Sequence, residues 1–280
     1  MRPPGRYSES KYQPSSDPSL SVLSRFGYCD DLHLAWDQLV TPVLPTPGSP
    51  VELTSAGLEF LSNVFNKHDL DHDGCLNNQE LISLFSTCPV MPWGPEVYYQ
   101  VPLSPSSSVA VYTFMAWWNL LCLTQPEKCA ELLAHLGFDY LSQHLPYRQQ
   151  PLLPCKDKKS DLAKRQTSKT VYSCLVVGPR DAGKTTFCQR FLGRSLEDTL
   201  NISPEDKPKS LVNSVLVYGQ QKYLVMLDAD VLAAADGLDS TQTNCDVVCL
   251  VYDASNPRSF EYCARIYLVR SRLICVNICI

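Results

Sequence analysis

The segment 178–185, Gly-Pro-Arg-Asp-Ala-Gly-Lys-Thr, restricts the fold of the surrounding chain more than any other feature of the sequence. An apolar run at 172–177 that suits a buried strand precedes it, and a helical pattern at 186–192 follows it. The spacing Gly-x-x-x-x-Gly-Lys-Thr between a strand and a helix is that of a phosphate-binding loop. This half of the chain is therefore predicted to be an α/β P-loop nucleotide-binding domain.

The residue types of this loop suit a nucleotide bound with magnesium. Gly178 and Gly183 let the backbone curl so that successive N–H groups point at phosphates. Lys184 neutralises the phosphates, and the hydroxyl of Thr185 is placed to ligate Mg²⁺. The predicted nucleotide-binding residues are Gly178, Arg180, Asp181, Ala182, Gly183, Lys184, Thr185 and Thr186.

The chain beyond the loop continues in the order of an α/β nucleotide fold. Strand patterns at 214–218 and 222–227 flank Gly219-Gln220-Gln221 and predict a hairpin, and 247–252 predicts another buried strand. Asp228 ends the second hairpin strand. An acidic residue there either holds a magnesium-bound water or caps a helix or turn. The predicted magnesium residues are Thr185 and Asp228.

A second motif, at 69–80, matches a calcium-binding loop. Acidic and amide side chains recur at the ligand positions, and Gly74 permits the sharp turn at the sixth position. Helical stripes of apolar residues at 58–65 and 81–85 flank the loop, which predicts a helix–loop–helix hand. The alternative is an acidic turn between two helices. The predicted calcium ligands are Asp69, Asp71, Asp73, Asn77, Glu80 and the backbone carbonyl of Cys75.

A partner for this hand is predicted further along the chain. Residues 109–112 indicate a strand that enters a helix at 113–121, and no acidic ligands precede it, so the partner is interpreted as ligandless. Trp117 and Trp118 are interpreted as core because aromatic residues at helical spacing are more often buried. A further helix at 126–138 is expected to fill the groove of the pair. The region is thus predicted to be an all-α EF-hand pair.

Several segments together resemble the mitochondrial Rho GTPases of the Miro family. They are 25–32, 67–71, 92–95, 136–138, 178–185 and 245–253. The resemblance implies a rod of two GTPase domains and two EF-hand units, each with a ligand-mimic helix, and a membrane anchor. It also implies calcium, Mg²⁺ with GTP or GDP, the cytosolic face of the outer mitochondrial membrane, and motor-adaptor and mitochondrial transport proteins as partners.

Composition and resemblance together give the expected domain boundaries. Residues 1–24 are rich in Pro, Ser and Tyr and are predicted to be disordered. Residues 25–145 are the EF-hand region, in which 25–40 end a first unit and 51–145 form the second. Residues 146–170 are predicted to be a basic linker, solvated or in contact with an acidic surface or lipid headgroup. Residues 171–280 are a truncated Ras-like GTPase domain.

The sequence also departs from the family pattern. No Asn/Thr-Lys-x-Asp guanine-reading segment lies between 260 and 280. If Asp228 aligns with the aspartate of the family's switch, Val231 and Leu232 stand where a glycine and a glutamine are expected. Binding with slow or absent hydrolysis is therefore predicted, and no catalytic residue is assigned. Thr199 and Ser203 are both candidates for the switch hydroxyl. Residues 273–280 suit a fifth strand and are too short to span a bilayer. We expect a fragment or isoform without the anchor, which would then be cytosolic.

Composition narrows the function classes. A net charge of -5 over 280 residues gives no basic footprint for nucleic acid. Thirteen cysteines without a Cys-x-x-Cys pair, in a chain with no signal peptide, fit reduced cytosolic thiols. Three functions remain: a calcium- and GTP-binding regulator of mitochondrial trafficking, a calcium-binding interaction module with a non-functional nucleotide domain, and a P-loop ATPase or kinase.

Overall fold

A computed structural model describes residues 51–102, 108–138, 150–154, 169–203, 206–228, 245–269 and 274–279. The predictions for 1–24 and 25–40, and for Val231 and Leu232, lie outside these residues. The first half combines helices with two short two-stranded sheets. Its elements are β1 (Val51–Leu53), α1 (Ser55–His68), β2 (Cys75–Leu76), α2 (Asn78–Leu84), β3 (Val109–Ala110), α3 (Val111–Thr124), α4 (Pro126–His135) and β4 (Leu152–Pro154).

The helices of the first half form where the apolar spacing predicts them. Thr54 caps α1 by accepting a hydrogen bond from the Gly57 N–H at 3.1 Å, and α1 buries Leu61 and Phe65. Helix α3 is buried along most of its length, and Trp117 and Trp118 are 4% and 0% exposed. The interpretation of both tryptophans as core residues is therefore confirmed.

One predicted boundary in this half is wrong. The strand predicted at 109–112 ends at Ala110, and Val111 already begins α3. The tight ribbon explains the shift, since β2 and β3 pair over only two residues each and the Val111 N–H donates to the Gly74 carbonyl at 3.3 Å. The predicted linker 146–170 contains β4, which pairs antiparallel with β1.

The second half is an α/β layer around a five-stranded sheet of order β6-β7-β5-β8-β9. Strand β6 is antiparallel to β7, and the other neighbours are parallel. The predicted α/β class is confirmed, and the tail at 274–279 fills a fifth strand as expected. The elements are β5 (Val171–Val177), α5 (Lys184–Phe191), α6 (Leu196–Leu200), β6 (Ser210–Val217), β7 (Gln220–Asp228), β8 (Val247–Tyr252), α7 (Pro257–Val269) and β9 (Ile274–Cys279).

The predicted hairpin is present, but its turn lies elsewhere. Tyr218 and Gly219 form the turn with φ of 49° and 76°, and Gln220 and Gln221 belong to β7. Two successive residues with positive φ match the right-handed twist of the flanking strands. Only one of the two is glycine, which is why the sequence did not reveal this turn.

The hydrophobic core crosses from one half to the other. Val212, Val225 and Leu227 of the sheet belong to the same buried cluster as Phe114 and Trp118 of α3. A second cluster lies on the opposite face of the sheet, where α5 buries Cys188. The two halves therefore pack as one unit. Within the described helices, no segment is long and apolar enough to cross a membrane.

Candidate functional site

The phosphate loop joins β5 to α5 through backbone conformations that few residues adopt. Gly183, the N-cap of α5, has a φ of 85°. Asp181 adopts a φ of 61°, which is uncommon for a residue other than glycine. Gly178 is buried against β8, and a Cβ atom there would lie 2.2 Å from the Val251 carbonyl oxygen. The loop therefore requires glycine at 178 for space and at 183 for conformation.

Gly178→Ala is expected to disrupt the loop, because the new methyl group meets the fixed backbone of β8. Overpacking of this kind costs about 1–3 kcal/mol, and the loop must shift to relieve it, which would also weaken nucleotide binding. Gly193→Ala is the matched control: its φ is 84° but nothing lies within 4 Å. That control should lower the melting temperature and leave nucleotide affinity unchanged. Equal nucleotide affinity in both variants would contradict the prediction.

The lysine of the loop folds back over the loop itself. Lys184 Nζ donates to the carbonyl oxygens of Gly178 and Pro179 at 2.9 Å each. Its cation thus sits at the mouth of the loop, above the N-terminus of α5. A phosphate placed there would meet the positive end of the helix dipole as well as the ammonium group.

The two predicted magnesium residues lie side by side. Thr185 Oγ1 donates to Asp228 Oδ2 at 3.0 Å, although the residues come from α5 and β7. Burial and the negative charge of Asp228 raise the pKa of the Cys188 thiol. A hydroxyl and a carboxylate at this spacing are the oxygen donors that Mg²⁺ prefers.

The remaining predicted residues of this half fall into two groups. Arg180 and Asp181 lie at the exposed outer part of the loop, whereas Ala182 is buried and Thr186 is partly exposed. Of the two switch candidates, Thr199 is buried in α6, where its hydroxyl donates to the Ser195 carbonyl at 2.8 Å. Ser203 is exposed. The Thr199 hydroxyl therefore already donates a hydrogen bond to the backbone at the start of its own helix.

The acidic loop brings three carboxylates together. One ligand oxygen from each of Asp69, Asp71 and Asp73 lies within 4.8 Å of the others. Asp69 is 6% exposed, and its Oδ1 is buried without a hydrogen-bond partner. A buried acceptor that lacks a donor is costly, so this atom fits a metal ligand. Gly74, with φ of 77°, makes the turn between the third aspartate and β2.

Glu80 closes the acidic loop from the start of α2. Its Oε1 accepts from the Leu70 N–H and its Oε2 from the Asn77 N–H, both at 2.9 Å. Asn77 in turn accepts from the Glu80 N–H at 3.1 Å, which completes a capping box. The carboxylate therefore joins the two ends of the loop through backbone N–H groups, and it is not part of the group within 4.8 Å that Asp69, Asp71 and Asp73 form. Cys75 begins β2, and its N–H donates to Asp73 at 2.7 Å.

The polar contacts between the two halves were not predicted from the sequence. Arg194 and Gln189 donate to backbone carbonyls of Tyr98 and Tyr99. Nothing in the sequence marks these residues, because their partners are main-chain atoms nearly a hundred positions away. The clusters named above were found only because their residues follow recognised local spacings.

Known proteins include a relative of this chain. No family model matches the chain. Mitochondrial Rho GTPase 1 of Caenorhabditis elegans is 37% identical over 265 residues, which cover 92% of this chain. The chain belongs to the mitochondrial Rho GTPase family. The resemblance stated from sequence segments is thereby confirmed. The alignment covers 42% of that mitochondrial Rho GTPase, so the chain spans well under half of its relative's length.

Proposed function

We propose that this mitochondrial Rho GTPase chain binds GTP or GDP with Mg²⁺ at the phosphate loop. The hydrogen bond between Thr185 and Asp228 carries the proposal, because the two residues predicted to hold magnesium are neighbours beside Lys184. Thr185 would ligate the metal directly and Asp228 through a water. The N–H groups of the loop, with Lys184, would hold the phosphates, and Mg²⁺ would neutralise their charge.

We further propose that residues 69–80 bind calcium as one half of an EF-hand pair. The buried, unpartnered Oδ1 of Asp69 supports a cation at the centre of the loop. The ribbon between β2 and β3 supports the pairing, since it joins the acidic loop to the start of α3. Helix α4 packs beside α3, and Phe138 just beyond it meets Phe60 of α1 edge-on at 5.1 Å. That contact supports the interpretation of the segment as a docked ligand-mimic helix.

The biological setting follows from the family. The relative's name supports an association with mitochondria. The resemblance adds the cytosolic face of the outer membrane and motor-adaptor proteins as partners. In this setting the chain is a calcium-sensitive regulator of mitochondrial trafficking. Nucleotide occupancy, more than turnover, is its signal, because with Asp228 as the switch aspartate Val231 stands at the glycine position and Leu232 at that of a water-orienting glutamine.

Nucleotide titration tests the first proposal. The purified chain is titrated with fluorescent analogues of GDP, GTP and ATP, with Mg²⁺ and then with EDTA. Saturable binding of both guanine nucleotides that weakens in EDTA is expected. A preference for ATP would indicate an ATPase or kinase. Binding of calcium with no binding of any nucleotide would instead favour a calcium-binding interaction module whose nucleotide domain is non-functional.

A further inference from the structure

Three consecutive backbone carbonyls of the first half, which holds the acidic loop, accept hydrogen bonds from the second half, which holds the phosphate loop. The Tyr98 carbonyl accepts from Arg194, the Tyr99 carbonyl from Gln189 Nε2 at 3.3 Å, and the Gln100 carbonyl from the Val212 N–H at 2.8 Å. Tyr98 and Tyr99 lie within a short 3-10 turn, Val97–Tyr99, and Gln100 directly follows it. We call residues 97–101 the docking segment. It contacts the last turn of α5, Arg194 just after that helix and the outer edge of β6.

Arg194 contacts the docking segment through both an aromatic ring and a backbone carbonyl. Its guanidinium lies 5.3 Å from the centre of the Tyr99 ring and donates to the Tyr98 carbonyl. Arg194 is partly buried, and this loss of water lowers the pKa of its guanidinium. The aromatic ring and the carbonyl offset that desolvation only while the two halves stay together. Separation of the halves would remove both partners at once.

The docking segment is also fixed to the helices of the acidic loop. Val97 and Val101 are 2% and 0% exposed within the helical core. Just before the segment, the ring of Trp93 stacks on that of Phe114, with 6.3 Å between the ring centres. The centre of the Phe114 ring in turn lies 5.4 Å from that of Phe65 in α1. Helix α1 leads directly into Asp69. A continuous set of packed side chains therefore joins the acidic loop to the docking segment.

On the other side, the segment holds the helix that begins the phosphate site. Gln189 lies within α5 and is 0% exposed, and α5 starts at Lys184. The Arg194 N–H donates back to the Gln189 carbonyl at 3.2 Å, so the two contacts move together. A shift of this end of α5 would be carried along the rigid helix to Lys184 and Thr185.

We propose that Arg194 is a positioning residue that docks α5 onto the docking segment, so that nucleotide and calcium binding favour each other. The inference rests on the proposed function and adds a regulatory link between its two sites. Each ligand binds to a loop that must be ordered. The contacts of the docking segment make the order of one half of the chain depend on the order of the other half. By linkage, Mg²⁺–GDP must then tighten calcium binding by the same factor as calcium tightens Mg²⁺–GDP binding.

The test measures calcium affinity of the full chain by calorimetry, with and without saturating Mg²⁺–GDP. A tightening of about fivefold or more is expected for the parent chain, within the usual range of coupling between sites. Arg194→Ala should reduce this factor to about one and weaken Mg²⁺–GDP binding. The matched control is Arg258→Ala, an exposed arginine of α7, which should keep the parental factor.

A second pair of variants separates docking from folding. Tyr99→Phe keeps the ring under the guanidinium and should retain the coupling, whereas Tyr99→Leu should lose it. Each variant is first shown to melt cooperatively. Equal coupling in the parent and in Arg194→Ala, with Mg²⁺–GDP bound in both, would overturn the inference and leave the proposed function standing. A parent chain that binds calcium but no Mg²⁺–GDP would overturn the proposed function, and the inference with it.

Discussion

Glu80→Gln is expected to abolish calcium binding at the acidic loop. At the last ligand position of the proposed calcium site Glu80 would supply both oxygens, and the amide retains only one oxygen and places an NH₂ group in the second position. The same NH₂ group would face the N–H of Leu70 or Asn77, which now donate to the two carboxylate oxygens at 2.9 Å. The variant thus loses a negative charge, one ligand oxygen and one loop-closing hydrogen bond.

Calorimetry with calcium checks this result. The parent chain should give a saturable heat, and Glu80→Gln should give none in the same concentration range. Glu59→Gln is the matched control, because Glu59 is an exposed residue of α1 outside the loop. It removes the same charge and should bind calcium as the parent does. Unchanged affinity in Glu80→Gln would exclude 69–80 as the calcium site.

Thermal unfolding gives an independent measure of the same site. Three aspartates of the loop lie close together, and calcium removes their mutual repulsion. A ligand present at a hundred times its Kd stabilises the folded protein by about 2.7 kcal/mol. The melting temperature of the parent and of Glu59→Gln should therefore rise with calcium. That of Glu80→Gln should not change.

Features set by local spacing could be predicted from the sequence. The phosphate loop and the acidic loop each depend on residue types at fixed offsets, so their positions follow directly. The pairing of Thr185 with Asp228 was also accessible, because β5 and β7 are parallel neighbours and their carboxyl ends meet at one edge of the sheet. The phosphate-loop motif predicts Thr185, and the end of the predicted hairpin strand predicts Asp228.

Features set by packing between distant segments could not be predicted. Strand β4 consists of Leu152–Pro154, whose composition differs little from a linker; only its pairing with β1 makes it a strand. The docking segment acts through main-chain carbonyls, which every residue has, so no side-chain pattern marks it. The turn at Tyr218 was missed for a related reason, since the flanking strands impose a positive φ that tyrosine rarely adopts.

Lys184→Ala is expected to abolish nucleotide binding while leaving the fold intact. The ammonium group donates to the Gly178 and Pro179 carbonyls at 2.9 Å, and phosphates would take over these interactions. Without it, the negative charge of the nucleotide is met only by N–H dipoles and by the metal. The folded protein loses two partly exposed hydrogen bonds, which cost on the order of 1 kcal/mol each. The loss of Mg²⁺–GDP affinity should be far greater, beyond detection at micromolar protein.

Comparison with two further variants assigns the lost affinity to the lysine itself. Lys207→Ala removes an exposed charge outside the loop and should bind Mg²⁺–GDP as the parent does. Thr185→Ala should weaken binding only when Mg²⁺ is present, because it removes the proposed metal ligand and leaves Lys184 in place. If Lys184→Ala kept parental affinity, the nucleotide would have to bind elsewhere. Loss of binding in Lys184→Ala with calcium affinity retained would show that the two sites use separate residues, and that the phosphate loop holds the nucleotide through its charge.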